Sequence, residues 1–261
     1  MGVISWIILI AALGVFCYAG YQLFTIFSAY HEADSEYDEI RTSYTSSVDP
    51  EPSSDEEAPE AEDGTETLSP PIEIDWEQLQ GVNADIVGWI YVEAEPEISY
   101  PICLGSDNEY YLHNTFEKTY NFAGSIFLDY HNSSDFSDPV SILYGHNMKN
   151  GSMFGRLKRL KSQEEYDSAQ NFWILTPEAD YCYHIYAAFD TAVDSATYTL
   201  FSGAGDIVKE WEESIYSQSV IGTEEEFSAE DHSVILSTCT SSDSYRCVVI
   251  GKRIAELTHE S

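Results

Sequence analysis

Cys239 closes the run Val234-Ile235-Leu236-Ser237-Thr238-Cys239, and seven residues on Arg246 heads the run Arg246-Cys247-Val248-Val249-Ile250. Upstream, His146 stands just past another apolar segment, Val140-Ser141-Ile142-Leu143. A thiol, an imidazole and a guanidinium at strand ends supply a nucleophile, an acid–base group and a fixed cation, the set needed for acyl transfer through a covalent intermediate. Read alone, each residue has a plainer role. A cysteine at a strand end is more often a small buried hydrophobe, and a histidine by itself is ambiguous. Two features favour chemistry. Ser237-Thr238 before Cys239 and the polar run Thr240–Ser244 after it place the thiol at a sheet rim. Arg246, at the head of an apolar strand, is costly to bury without an anionic partner, and a thiolate or oxyanion would be one.

The elements that must hold these residues are short and mostly extended. Trp89–Val92, Ile98–Cys103, Gly124–Asp129, Val140–Tyr144, Phe172–Thr176, Tyr181–Phe189, Ser233–Thr238 and Arg246–Ile254 read as strands, with a hairpin turn at Pro177–Asp180. Asp75 is a candidate N-cap for a helix over Trp76–Gln80, and Asn83–Gly88 reads as a further turn. Helical patches are expected at Met153–Leu160 and at Gly205–Tyr216, where Ile207, Val208, Trp211 and Ile215 recur at helical spacing. The sum is a mostly β chain, an antiparallel barrel decorated by helices.

Composition narrows the partners. With 46 acids and 11 bases the 261-residue chain carries a formal charge of −35, which excludes nucleic acid as a partner because phosphate binding needs clustered cations. Between His31 and Pro70 there are fourteen carboxylates and one base, Arg41. That stretch has too few apolar groups to offset its ordering entropy and is expected to be a disordered spacer. Gly2 to Phe27 carries no charge, and at about 1.5 Å per residue it can cross a hydrocarbon core of about 30 Å. No basic start and no small-residue cleavage site accompany it, so it is expected to remain as an anchor, its N-terminus cytoplasmic and the rest extracytoplasmic. The expected organisation is a transmembrane anchor with its flank at 1–29, an acidic linker at 30–71 and a catalytic domain at 72–261. The five cysteines, Cys17, Cys103, Cys182, Cys239 and Cys247, show no CxxC pair and no zinc spacing, and read as free thiols. No metal or organic cofactor is expected.

Several segments together resemble class B sortases. Tyr144-Gly145-His146-Asn147-Met148-Lys149-Asn150-Gly151-Ser152-Met153-Phe154, Leu236-Ser237-Thr238-Cys239 and the downstream Arg246 look like that family's signature segments. Asp85–Ile90, Ser99-Tyr100-Pro101, Asn108–Leu112 and Gly124–Asp129 are similar in order and spacing, so the resemblance runs from about Trp76 to Ile254. A hydrophobic span at the N-terminus without a second one at the C-terminus, and no lid-like Asp-Pro-aromatic motif, fit class B better than the pilus-building class C. Six residues separate Cys239 from Arg246, short for the class, so the connecting loop is tight.

The resemblance implies a sortase-type barrel acting as a membrane-anchored cysteine transpeptidase of a Gram-positive-type cell. It would cleave a sorting motif near the C-terminus of secreted proteins after Thr and pass the acyl group, through a thioester on Cys239, to an amine of a lipid-linked peptidoglycan precursor. His146 would be the acid–base residue and Arg246 the oxyanion and substrate cation. The Thr240 backbone N–H is a candidate second donor, and Ser237, Asn147 and Tyr144 are candidate substrate-binding residues. Two other readings stay open: a pilin-polymerising sortase with a Lys acceptor, and a catalytically idle wall-binding barrel. Ala196–Phe227 corresponds to the family's helical insertion before the cysteine strand. Finally, Lys149, Arg156, Lys158, Arg159 and Lys161 form a basic cluster, read as a solvated helix face or, alternatively, an attractor of anionic wall polymer or lipid head groups.

Overall fold

The computed structural model describes residues 2–48 and 68–259. The chain divides into two units, the first ending at Glu39 and the second beginning at Ile40. Helix α1 (Val3–Tyr44) contains an apolar stretch, Trp6–Thr25, of mean hydropathy 2.0 and long enough to cross a membrane.

The beginning of the acidic segment departs from the expected disorder. Helix α1 continues through it to Tyr44, and strand β1 (Thr45–Ser47) pairs antiparallel with β2 (Ile72–Ile74). Average composition conceals an apolar stripe, Tyr37, Ile40 and Tyr44, at helical spacing. Ile40 is buried, and the Arg41 guanidinium lies 5.4 Å from the ring centre of Tyr100. The rest of the expected spacer that was read as disordered, 49–67, falls outside the described residues.

After α2 (Trp76–Val82), capped by Asp75 at the Gln78 N–H, come β3 (Ile86–Val92), β4 (Ser99–Leu104), β5 (Ile126–Leu128) and β6 (Val140–Tyr144). Then follow α3 (Gln163–Ser168), β7 (Asn171–Leu175), β8 (Ala179–Ala192), α4 (Asp206–Tyr216), β9 (Ser233–Cys239) and β10 (Tyr245–Thr258). Eight strands close into a barrel in the order β10-β8-β7-β3-β4-β5-β6-β9. Two pairs, β4–β5 and β6–β9, are parallel and the other pairs are antiparallel. β9 is buried along nearly its whole length, as its continuous apolar run demands, because the barrel interior takes one face and α4 covers the other. Val208, Trp211 and Ile215 of α4 pack on Val140, Ile235 and Val248.

Two local expectations are corrected. The turn assigned to Asn83–Gly88 ends early: the Asn83 side chain accepts the Asp85 N–H at 2.8 Å, and extended chain starts at Ile86. Met153–Leu160 is not a helix. Phe154 gives its N–H to the His146 carbonyl at 3.0 Å, which closes a loop instead of opening a helical ladder, and only a 3-10 turn forms at Leu157–Lys161.

Candidate active site

The barrel brings Cys239, His146 and Arg246 to one rim. β6 and β9 lie side by side with Tyr144 opposite Ser237. His146, two residues past Tyr144, and Cys239, two past Ser237, are therefore carried level, although 93 positions separate them in the chain. Three bonds lock this register. Gly145 donates its N–H to the Ser237 carbonyl at 3.2 Å, the Thr238 hydroxyl donates to the Gly145 carbonyl at 2.7 Å, and the Asn147 side-chain amide donates to the Cys239 carbonyl at 2.7 Å. On the other edge of β9, Arg246 is directly opposite Cys239. Directly opposed residues project to the same face, so the guanidinium and the thiol share one side of the ladder.

That side holds a cavity of about 270 Å³ with His146, Cys239 and Arg246 in its wall, together with Leu112, Phe127 and Tyr144. The His146 ring nitrogen Nε2 is 2.8 Å from the Leu112 carbonyl. A carbonyl only accepts, so Nε2 carries the hydrogen, and in the neutral ring Nδ1 is the basic nitrogen. Arg246 donates from Nη1 to the carbonyls of Asp243 (2.9 Å) and Tyr245 (3.0 Å), which ties its fork to the tight loop and leaves its other N–H groups for the cavity.

The remaining candidates separate. Tyr144 and Ser237 line the cavity, the tyrosine donating to Asp129 at 3.0 Å and the serine hydroxyl 2.8 Å from that of Tyr198. Asn147 does not line it, since its amide is engaged by Cys239. Thr240 is a correction. Its N–H donates to the Tyr245 carbonyl at 3.3 Å, because the short hairpin closes through that bond, and the residue borders a neighbouring cavity instead.

Asp129 was not singled out as a site residue. It is buried, and burial pushes its carboxyl upward, but the N–H and ring of His131, the Asn108 amide and the Tyr144 hydroxyl outweigh that and hold it below the usual carboxylate range. Its visible signs were its place as the last residue of the strand read at Gly124–Asp129 and that segment's resemblance to the family. Leu112 and Tyr198 left none.

All five cysteines are free thiols. Cys103, Cys182 and Cys247 are buried, and burial pushes each up to about 12. Cys247 lies opposite Thr238, not Cys239, so it faces the other side of the ladder. In the barrel unit Cys239 is the thiol that solvent reaches.

No protein-family model matches the chain. It is 35% identical over 182 residues to Sortase B of Listeria monocytogenes, covering 68% of this chain and 73% of that protein. It is 30% identical over 183 residues to Sortase B of Staphylococcus aureus, covering 69% and 74%. A crystal structure of sortase B from Bacillus anthracis superposes with a TM-score of 0.70 at 28% identity, covering 89% of this chain and all of that one.

Proposed function

The chain belongs to the class B sortases, a family of cysteine transpeptidases, and from that premise we propose that it cleaves a C-terminal sorting signal of secreted proteins after Thr and transfers the acyl group to an amine of a lipid-linked peptidoglycan precursor. The observation that carries this reading is the register that sets Cys239 level with His146 and opposite Arg246.

In the first half-reaction the Cys239 thiol gives its proton to Nδ1 of His146, the resulting thiolate attacks the Thr carbonyl carbon, and the carbonyl π electrons move to oxygen. Arg246, always cationic, faces that oxyanion and offsets its charge. Collapse breaks the C–N bond, and His146 delivers a proton from Nδ1 to the departing amine while Nε2 stays bonded to the Leu112 carbonyl. A thioester remains. In the second half-reaction an acceptor amine attacks it, a C–N bond forms, the thiolate leaves with the C–S electron pair, and the amine proton passes to Nδ1. Leu112 and Phe127 give the cavity an apolar wall beside the thioester.

Trp6–Thr25 is assigned as a single membrane span with its N-terminus in the cytoplasm and the barrel outside. Clients and acceptor are then met at the outer membrane surface.

The test uses the full-length protein and a panel of fluorogenic peptides with Thr at the scissile position. Wild type should cleave at Thr and carry the acyl group on Cys239 by mass spectrometry, and Cys239→Ala should do neither. Turnover by Cys239→Ala would overturn the assignment.

A further inference from the structure

Behind the wall of the active-site cavity, the buried carboxylate of Asp129 joins two sets of hydrogen bonds. Its main-chain N–H donates to the Ile142 carbonyl at 2.9 Å, which fastens the end of β5 to β6. Oδ1 accepts from the His131 N–H at 3.0 Å and from His131 Nδ1 at 2.9 Å. Oδ2 accepts from the Asn108 amide at 2.8 Å and from the Tyr144 hydroxyl at 3.0 Å. One oxygen is thus held by a local turn. The other faces two side chains that line the cavity with Cys239 and Arg246.

The chemistry of these partners fixes which way each side chain points. A carboxylate only accepts, and a main-chain N–H only donates. Asn108 gives Nδ2 to Asp129 while its Oδ1 accepts the Tyr130 N–H at 3.0 Å, so the amide cannot be turned over. Its second Nδ2 hydrogen remains as a donor at the cavity wall. Tyr144 spends its one hydrogen on Asp129, so its oxygen meets the cavity with lone pairs only. Burial first, then the Asp129 charge, holds the Tyr144 hydroxyl well above the usual phenol range, and that hydrogen stays in place.

We infer that Asp129 is a positioning residue for the substrate: its carboxylate sets Asn108 as a donor and Tyr144 as an acceptor in the cavity wall. The inference rests on the transpeptidase reading above. A peptide crossing this wall meets a donor and an acceptor of fixed direction, the complement of an amide group, whose carbonyl accepts and whose N–H donates. Both groups are oriented before the peptide arrives, so binding does not bear the cost of ordering them. Asp129→Asn keeps the shape but replaces one oxygen by an NH2 group. His131 retains the oxygen, and the NH2 falls opposite Asn108 and Tyr144. Asn108 then loses its acceptor, and the tyrosine hydroxyl turns round to accept from the new donor. Its hydrogen points into the cavity, where a lone pair stood before.

Two measurements on the full-length protein test this. The first is kinetics on a cleaved sorting peptide from the panel above. Asp129→Asn should raise KM at least about tenfold and keep kcat within about threefold, with Cys239 alkylated by iodoacetamide at the wild-type rate. Tyr144→Phe should raise KM at least about fivefold in wild type but less than about twofold in the Asp129→Asn background, where the contact is already spoiled. Additive effects, or a fall in kcat and alkylation rate with KM unchanged, would reduce Asp129 to a structural role. If Asp129→Asn does not fold, Asn108→Ala and Tyr144→Phe still decide, since an unchanged KM in either overturns the inference. The second measurement needs no peptide: NMR of protein labelled with 15N-asparagine, in detergent micelles, with Asn108 assigned by the signals lost in Asn108→Ala. Wild type should show two widely separated Nδ2 protons, one of them bonded to the carboxylate, and Asp129→Asn should draw them together. An unchanged pair overturns the positioning role whether or not a peptide is turned over. A wild type with the expected resonances that cleaves no sorting peptide would instead count against the proposed function.

Discussion

The side-chain amide of Asn147 donates to the main-chain carbonyl of Cys239 across 2.7 Å, so the residue after His146 holds the backbone of the residue proposed as nucleophile. Asn147→Ala should cost about tenfold in kcat/KM, the equivalent of one hydrogen bond of roughly 1.4 kcal/mol, with little change in Tm. Asn147→Asp, of the same shape, should lose more, because an ionised carboxylate cannot donate and repels the carbonyl oxygen. Equal rates for Asp and Asn would show that this bond does not position the thiol. Kinetics on a cleavable sorting peptide beside melting curves make the comparison.

Arg246 separates two mechanisms. If only its charge mattered, Arg246→Lys would keep most of the rate. Its fork is instead fastened at Nη1 to the Asp243 and Tyr245 carbonyls, which leaves a fixed planar edge directed to the cavity, whereas lysine offers a point charge on a flexible stem. Arg246→Lys should lose at least about a hundredfold in kcat/KM, roughly 2.7 kcal/mol. A near-wild-type rate would reduce the arginine to charge balance.

Gly145 sits between Tyr144 and His146 with no room for a side chain. An added Cβ would collide with Ile126 Cδ1 and come within 2.8 Å of Phe154 Cδ2. Gly145→Ala should lower stability by about 1–3 kcal/mol and push His146 out of level with Cys239, cutting kcat/KM at least tenfold. Ile126→Val removes the nearest atom, so the Gly145→Ala/Ile126→Val pair should recover part of both losses. A single variant with normal melting and normal rate would mean that the loop yields freely.

Glu212 of α4 is fully buried. One carboxyl oxygen accepts from the Ser233 hydroxyl at 2.6 Å, and the other has no partner among the described residues. Burial first, then Asp231 and Glu225, raise its pKa from 4.5 to about 7, against the pull of Ser233 and Lys252. A raised carboxyl pKa means the folded state holds the proton longer than the unfolded one. Its contribution is therefore complete below about pH 4.5 and is lost as pH rises through about 7. At pH 8 the cost is roughly 3 kcal/mol, from about 1.4 kcal/mol per pH unit. Glu212→Gln should melt roughly 6–12 °C above wild type at pH 8, with the gap shrinking toward pH 4.5. A gap that does not change with pH would show that Glu212 does not titrate in this range.

Much of this protein was readable before folding was considered. The apolar runs ending at Cys239 and before His146, and the one headed by Arg246, mark strands whose polar ends lie at a rim, because alternation, turn residues and apolar continuity are local properties of a chain. The i, i+1, i+4, i+8 stripe of Ile207, Val208, Trp211 and Ile215 likewise announced α4. What depended on tertiary structure was each relation between distant residues. That His146 stands level with Cys239 follows from parallel pairing of β6 with β9, which no local pattern encodes. The Leu112 carbonyl that sets the His146 tautomer is a group every residue possesses, and only the fold makes this one special. The Thr240 N–H is consumed by hairpin closure. Five bases crowded between Lys149 and Lys161 look alike in sequence, yet folding brings Glu95 and Glu97 onto the arginines, while Lys149 and Lys158 have no acidic partner among the described residues. Charge is written in the sequence, but its neutralisation is decided by distances in space, and those are set by long-range strand pairing.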